Sequence, residues 1–394
     1  MAATDDAGSA DERRAVCAAI DAAAPAALAL VRWMNAHPEL SLEERETSAR
    51  YTAWLEARGF EVRAPVAGLD TAFVAERGSA DAPVCAALLA EMDALPDIGH
   101  ACGHSLSGPA SLLAAAALAA VLPEPALRLR VVGCPAEELG LGKRRLVAAG
   151  AFAGCHAAMM AHASDMRRAH RLFLGNRKFE LVFHGRAAHA AAAPEQGINA
   201  LDAVIATFVA VGLLRQQLPS GVRVHGIVTD GGRAPNIIPE RAAARFWVRA
   251  LDVRELDAAA ARLLRCAEGA AGATGARLEV REEEGTSPPM RPNLALVEVY
   301  RQQLAFLELP ETAHGAHERI GSSDITHVSQ VVPTIHPNFP IGRDLELHTR
   351  EFAAAAAGPG GEAGLLEAAR ALALTILALV RQPAARGAVA AEGP

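Results

Sequence analysis

Four short segments of this chain carry residue types that can bind metal ions and move protons. In His100-Ala101-Cys102-Gly103-His104 a thiol and an imidazole stand two residues apart on a loop loosened by glycine. Sulfur and ring nitrogen can then converge on one cation. A lone pair of this kind is more often a buried cysteine beside a surface histidine, but Glu91 and Asp93 just upstream weigh toward a site. Glu137 and Glu138 follow an apolar run, and adjacent carboxylates there are costly unless cations neutralise them. Neighbouring side chains diverge, which suits Glu138 as a ligand and Glu137 as general base and acid. The plainer reading is a solvated loop with two acids. His162 and His348 (in LELHTREF) are each ambiguous between ligand and ordinary histidine. Together the set supplies one soft thiol, three imidazoles and a carboxylate, which suits two borderline divalent ions.

The elements that must position these groups can be read from periodicity. Residues 11–60 suit helices that end at Gly59. Apolar runs at 71–76, 84–90, 127–133 and 157–161 read as buried strands alternating with helices, as in an α/β domain with a mainly parallel sheet. The candidate ligands stand just after these runs, where open α/β sheets bind their ligands. From about Gly175 the texture changes. Residues 178–184 alternate, 199–218 form an amphipathic helix, and 222–229 and 241–250 are strands; 253–269 is helical and 276–282 is a last strand. The order, one or two strands and then helix, strand, strand, helix, strand, is that of a ferredoxin-like insert. The expected division is 1–174 and 288–394 for a catalytic domain and 175–287 for an inserted lid or dimerisation domain.

Composition excludes other classes. The net charge is −7, basic residues are scattered and aromatics are 4%, so a nucleic-acid footprint is not expected. The acidic N-terminal segment lacks the basic and apolar regions of a signal peptide. The alanine-rich run 107–122 and the run 364–380 read as buried helices, so no membrane partner is expected. Six cysteines without framework spacing fit reduced thiols in the cytoplasm.

GHACGHSLSG, PAEELGLGKRRLVAAGAF, HGRAAHAAAAPEQGINALDA, NIIPE and GSSDITHVSQVVPTIHP together resemble the aminoacylase/carboxypeptidase-type metallopeptidases. The likeness runs from about Trp33 to about Phe352. It is to the amidohydrolase branch that includes auxin-conjugate hydrolases, p-aminobenzoyl-glutamate hydrolase and β-alanyl-lysine-type dipeptidases. The resemblance implies two manganese or zinc ions bridged by Cys102, with His104, Glu138, His162 and His348 as further ligands. It implies Glu137 as the base and Asp93 as an acid that orients a ligand. Much of the wider family has His-x-Asp where Glu91-Met92-Asp93 stands, and His104 is expected to replace the lost ligand. Ser105 stands where the branch usually has Asp or Asn, which should alter hydrogen bonding around the ligands.

In the insert, His189 matches a histidine that reaches across a dimer interface to stabilise an oxyanion beside Asn236, so a homodimer is implied. Arg249 resembles a binder of substrate carboxylate, or is an exposed strand arginine; His225 lines the pocket in the subgroup. Ser323 and Asp324 contact substrate or cap a helix. The implied reaction is hydrolysis of a small N-acyl-amino-acid or dipeptide-like amide by a water that the metals activate and Glu137 deprotonates. Three alternatives compete with it: a binding module that kept the fold, a metal-free hydrolase using Cys102 with His104 or His100, and an amide-trimming or amide-forming biosynthetic enzyme.

Overall fold

The computed structural model of the protein describes residues 5–313 and 320–394. The chain opens with α1 (Asp5–Ala36), α2 (Arg45–Glu56), β1 (Glu61–Arg63), β2 (Phe73–Arg77) and β3 (Cys85–Glu91). It continues through α3 (His104–Val121), β4 (Arg128–Cys134), α4 (Gly142–Ala148), β5 (Ala157–Met159) and β6 (His162–Ser164). Next come β7 (Gly175–His184), α5 (Ala200–Leu214), β8 (Arg223–Asp230), β9 (Arg241–Ala250), α6 (Val253–Thr274) and β10 (Arg277–Glu282). The rest is α7 (Leu294–Phe306), α8 (Ile325–Val328), β11 (Thr334–Ile335), β12 (Asn338–Pro340), α9 (Arg350–Ala356), α10 (Pro359–Arg381) and α11 (Pro383–Glu392).

Two compact units result. Of the described residues, one holds those up to Arg171 and from Arg291 on, apart from Ile320–Ser322; the other is Leu172–Met290 with Ile320–Ser322. In the first, six strands run in the order β1-β2-β4-β3-β5-β11. The inner strands are parallel, while β2 is antiparallel to β4 and β1 to β2. Every residue of β3 is buried, as expected of a strand covered on both faces, which is why it reads as a run and not as an alternation. The alanine-rich α3 is buried almost throughout and packs on α1 and α10. Among the described residues, four helices are long and apolar enough to cross a bilayer by length and composition alone; in α3 and α10 most of that apolar length is buried inside the protein.

The run at 157–161 does not form one strand. Pairing in the main sheet stops at Met159, and His162 opens a separate parallel pair of β6 with β12, where Asn338 Nδ2 donates to its main-chain oxygen at 3.1 Å. Two short parallel pairings thus share an apolar segment that looks continuous in sequence.

The second unit is an antiparallel sheet of order β10-β7-β9-β8, with α5 and α6 supplying its core beside the strands. A single strand precedes α5, so the arrangement is βαββαβ without the extra strand that the sequence left open. Asp252 caps α6 by accepting from the N–H groups of Arg254 and Glu255.

Candidate metal centre

Three local devices bring the chemistry-bearing residues of the first unit together. Gly103 has φ +88°, in the left-handed region, and immediately precedes α3. A Cβ there would lie 2.7 Å from Ala163 Cβ, so the Cys-Gly-His turn needs glycine for both conformation and space. Ala136, also left-handed at φ +54°, makes the turn between β4 and Glu137. That strained turn is held by buried Glu44, whose Oε1 accepts from Ala136 N at 2.8 Å and whose Oε2 accepts from Thr71. Asp93 Oδ2 accepts from Ser41 Oγ at 2.7 Å and from Glu138 N at 3.0 Å, which ties the end of β3 to the end of β4.

Cys102, His104 and His162 each offer a ligand atom within 4.8 Å of the others, and so do Cys102, His104, Glu137 and Glu138. The two groups share the thiol and one imidazole. Cys102 Sγ is 3.5 Å from His162 Nε2. His162 Nδ1 donates to Ala163 O and His104 Nδ1 to Asp93 O, each at 2.8 Å, so both rings keep the Nε2 lone pair for a cation. His348, also left-handed at φ +64° and half exposed, brings Nε2 to 3.7 Å from Glu138 Oε2.

The residues fit a two-ion centre. Glu138 Oε1 is buried without a hydrogen-bond partner, and His104 Nε2 faces only carboxylate oxygens, a condition that native interiors rarely leave unmet. Thiol, imidazole and carboxylate are donors for borderline divalent metals. The electrostatics agree with this. Burial lifts the Glu137 carboxyl well above its usual range, and the Glu91 carboxylate adds to the effect. Burial alone would lower His104, but Glu91, Cys102 and Asp93 outweigh it and hold that imidazole well above its ordinary value, so in the metal-free chain a proton takes the place that a cation would fill. Burial takes His162 down to about 4, so its ring is neutral, the form that can ligate a metal.

The same environment speaks against a metal-free cysteine hydrolase. Burial pushes the Cys102 thiol well up against the opposing pull of His104, which disfavours the thiolate that such an enzyme needs. His100, taken by burial to about 3, is too weak a base to restore it.

The remaining sequence candidates divide. Asp324 is buried with both oxygens on Lys143, so its carboxylate is already occupied and is not offered to a substrate. Ser323 Oγ accepts from Ile325 N and so acts in the start of α8. Ser105 Oγ donates to Asn35 Oδ1, away from the ligand atoms. In the second unit, His189 and Asn236 share one turn: Ala190 N donates to Asn236 O, and His189 Nδ1 accepts from the N–H groups of Ala191 and Ala192. Arg249 and Lys178 both lie over the Trp247 ring, with His225 beside it. Arg249 Nε is buried without an acceptor, and among the described residues no carboxylate pairs with Arg249 or Lys178.

Sequence reasoning missed Ser41, Glu44 and Lys143. Only Lys143 left a signal, as a lysine in the glycine-rich segment after the paired glutamates.

Comparison with known proteins accords with this geometry. Residues 174–274 match the family of peptidase dimerisation domains. The chain is 36% identical to a mouse (Mus musculus) Xaa-Arg dipeptidase over 390 residues, covering 94% of this chain and 90% of that one. It is 31% identical to a component chain of the p-aminobenzoyl-glutamate hydrolase of Escherichia coli over 323 residues, covering 77% of this chain and 65% of that one. In fold it resembles a dinuclear metal-binding peptidase of the M20 family from Bacillus subtilis, with a TM-score of 0.72 at 22% identity over 91% of this chain and 99% of that one.

Proposed function

The chain belongs to the M20 peptidase family and is a metal-dependent hydrolase of amide bonds in small acyl-amino-acid or dipeptide-like molecules, and we propose that Glu137 moves the proton of its reaction. The observation that carries this reading is the setting of that carboxylate. It lies among the ligand atoms of Cys102, His104 and Glu138, and burial and Glu91 raise its proton affinity. A base tuned upward can both take a proton near neutral pH and give it back.

Cys102, His104, Glu138, His162 and His348 would hold two divalent ions, manganese or zinc, which when bound lower the pKa of a water and polarise the amide carbonyl. Glu137 accepts the proton of the attacking water on its carboxylate, keeps it out of solvent, and delivers it to the leaving nitrogen. Asp93 holds the Glu138 main chain and the His104 ring in register for this exchange. His189, whose Nδ1 is an acceptor, carries its proton on Nε2 and is a donor suited to the oxyanion, with Asn236 from the same turn.

The amine side of the substrate is an amino acid with a free carboxylate. Arg249 and Lys178, half-buried cations that no carboxylate pairs in a salt bridge among the described residues, support that reading, as do the arginine and glutamate in the relatives' names. A homodimer through the second unit is supported by the apolar stripe Ile205, Val209 and Leu213 on α5 and by the edge strand β8, which exposes Ile227 and Val228.

The test is Glu137→Gln, loaded with manganese and assayed by mass spectrometry on Xaa-Arg dipeptides, β-alanyl-lysine and p-aminobenzoyl-glutamate. The variant should keep its metal and lose about 10²–10⁴-fold in turnover. Loss of the metal, or turnover at the wild-type rate, rejects the assignment.

A further inference from the structure

The centre contains a cation of its own. Lys143, the second residue of α4, is fully buried. Its Nζ is 2.6 Å from Glu91 Oε1 and in contact with Asp324 Oδ1, while its main-chain N–H donates to Asp324 Oδ2 at 2.9 Å. Glu91 turns its other oxygen to His104, 3.3 Å from Nε2. One oxygen each of Glu91, Glu137 and Asp324 lies within 4.8 Å of the other two, a third group with ligand spacing beside the two already described. Gly142 explains how the lysine gets there: a Cβ at that position would lie 1.7 Å from Pro135 O. Only glycine lets the start of α4 press onto the turn that carries Glu137.

Three buried carboxylates cannot share this space without positive charge. An ion could supply it, but would recruit Glu137 as a ligand and take away the lone pair that the reaction needs. An ammonium on a four-carbon stem supplies charge and donors only, and cannot drift.

We propose that Lys143 is a positioning residue: a tethered cation that fills the third carboxylate group, keeps divalent ions out of it, braces Glu91 against His104, and leaves Glu137 free as the base. The inference rests on the assignment of Glu137, but its main readout does not. Asp324 and Glu91 thereby acquire roles as the lysine's anchors.

The experiment uses full-length Lys143→Met, which keeps the volume, and Lys143→Ala, which leaves a cavity. Both are saturated with manganese, desalted and counted by elemental mass spectrometry. The expected result is one more ion per chain than in wild type, with kcat down about 100-fold and KM little changed, the scale on which a misplaced group costs rate. Ethylammonium should return Lys143→Ala to the wild-type ion count and restore at least about a tenth of the lost rate, while tetramethylammonium, too large for the cavity, should not. A wild-type ion count with wild-type kcat overturns the proposal. So does a slow variant with the wild-type ion count that ethylammonium cannot rescue, because Lys143 is then only packing. Two unfolded variants also overturn it, as a structural ion pair. The ion count reports on Lys143 even if Glu137→Gln keeps its turnover, so failure of the one reading is distinguishable from failure of the other.

Discussion

The Nδ1 atom of His104 lies 2.8 Å from the main-chain oxygen of Asp93 and 3.1 Å from its Oδ1, so one acidic residue meets this ring twice. The same residue holds Glu138 N at 3.0 Å through Oδ2. Asp93 thus orients two expected ligands from one position. In Asp93→Asn the fold is retained, and affinity for manganese should fall by about 10–100-fold, the usual cost of losing such a support. Chelator competition measures this; unchanged affinity would show that the main-chain contact alone orients the ring.

The protonation of His104 makes the metal-free protein respond to pH. In the folded chain burial lowers its pKa, but Glu91, Cys102 and Asp93 raise it more, so the folded value lies above the unfolded one of about 6.5. The stability it contributes is therefore complete below about pH 6.5 and is lost as pH rises through the folded value. Chelator-treated protein should melt lower as pH increases above that point, and His104→Asn should flatten the profile. The metal-loaded protein should not share the trend, since ligation needs the neutral ring. Equal slopes for wild type and variant would assign the effect elsewhere.

Leu213 is 72% exposed, Val209 59% and Ile205 52%, at intervals of four residues along α5. An apolar stripe of this length on a surface helix is the mark of a partner. Val209→Asp with Leu213→Asp should halve the mass measured by light scattering without lowering the melting temperature of the first unit's core. A wild-type mass for the double variant would put the interface on another face.

Gly103→Ala should destabilise the fold by about 1–3 kcal/mol and lower metal occupancy, because it combines a left-handed backbone with a Cβ against Ala163. Chemical denaturation gives the first value and metal counting the second. A stable, fully loaded variant would mean that the turn relaxes without moving Cys102 or His104.

Much of the centre is legible in the sequence because its parts are local. Cys102 and His104 share one turn, Glu137 and Glu138 share another, and each follows an apolar run that reads as a buried strand. The fold class is legible for the same reason, since runs without alternation mark a sheet covered on both faces. Boundaries inside such runs are not: nothing in residues 157–161 announces that the chain leaves one sheet for another before His162.

What the chain alone determined, then, is the inventory of candidate ligands, because short loops at strand ends carry them, and, through the family its motifs resemble, the class of reaction. The tertiary structure decided which of these groups meet and what neutralises them. Lys143 is 52 residues from Glu91 and 181 from Asp324. No periodicity links those three positions. A buried charge is tolerable only beside its opposite, and where the opposite lies is a matter of how sheet and helices pack, which only the folded chain specifies.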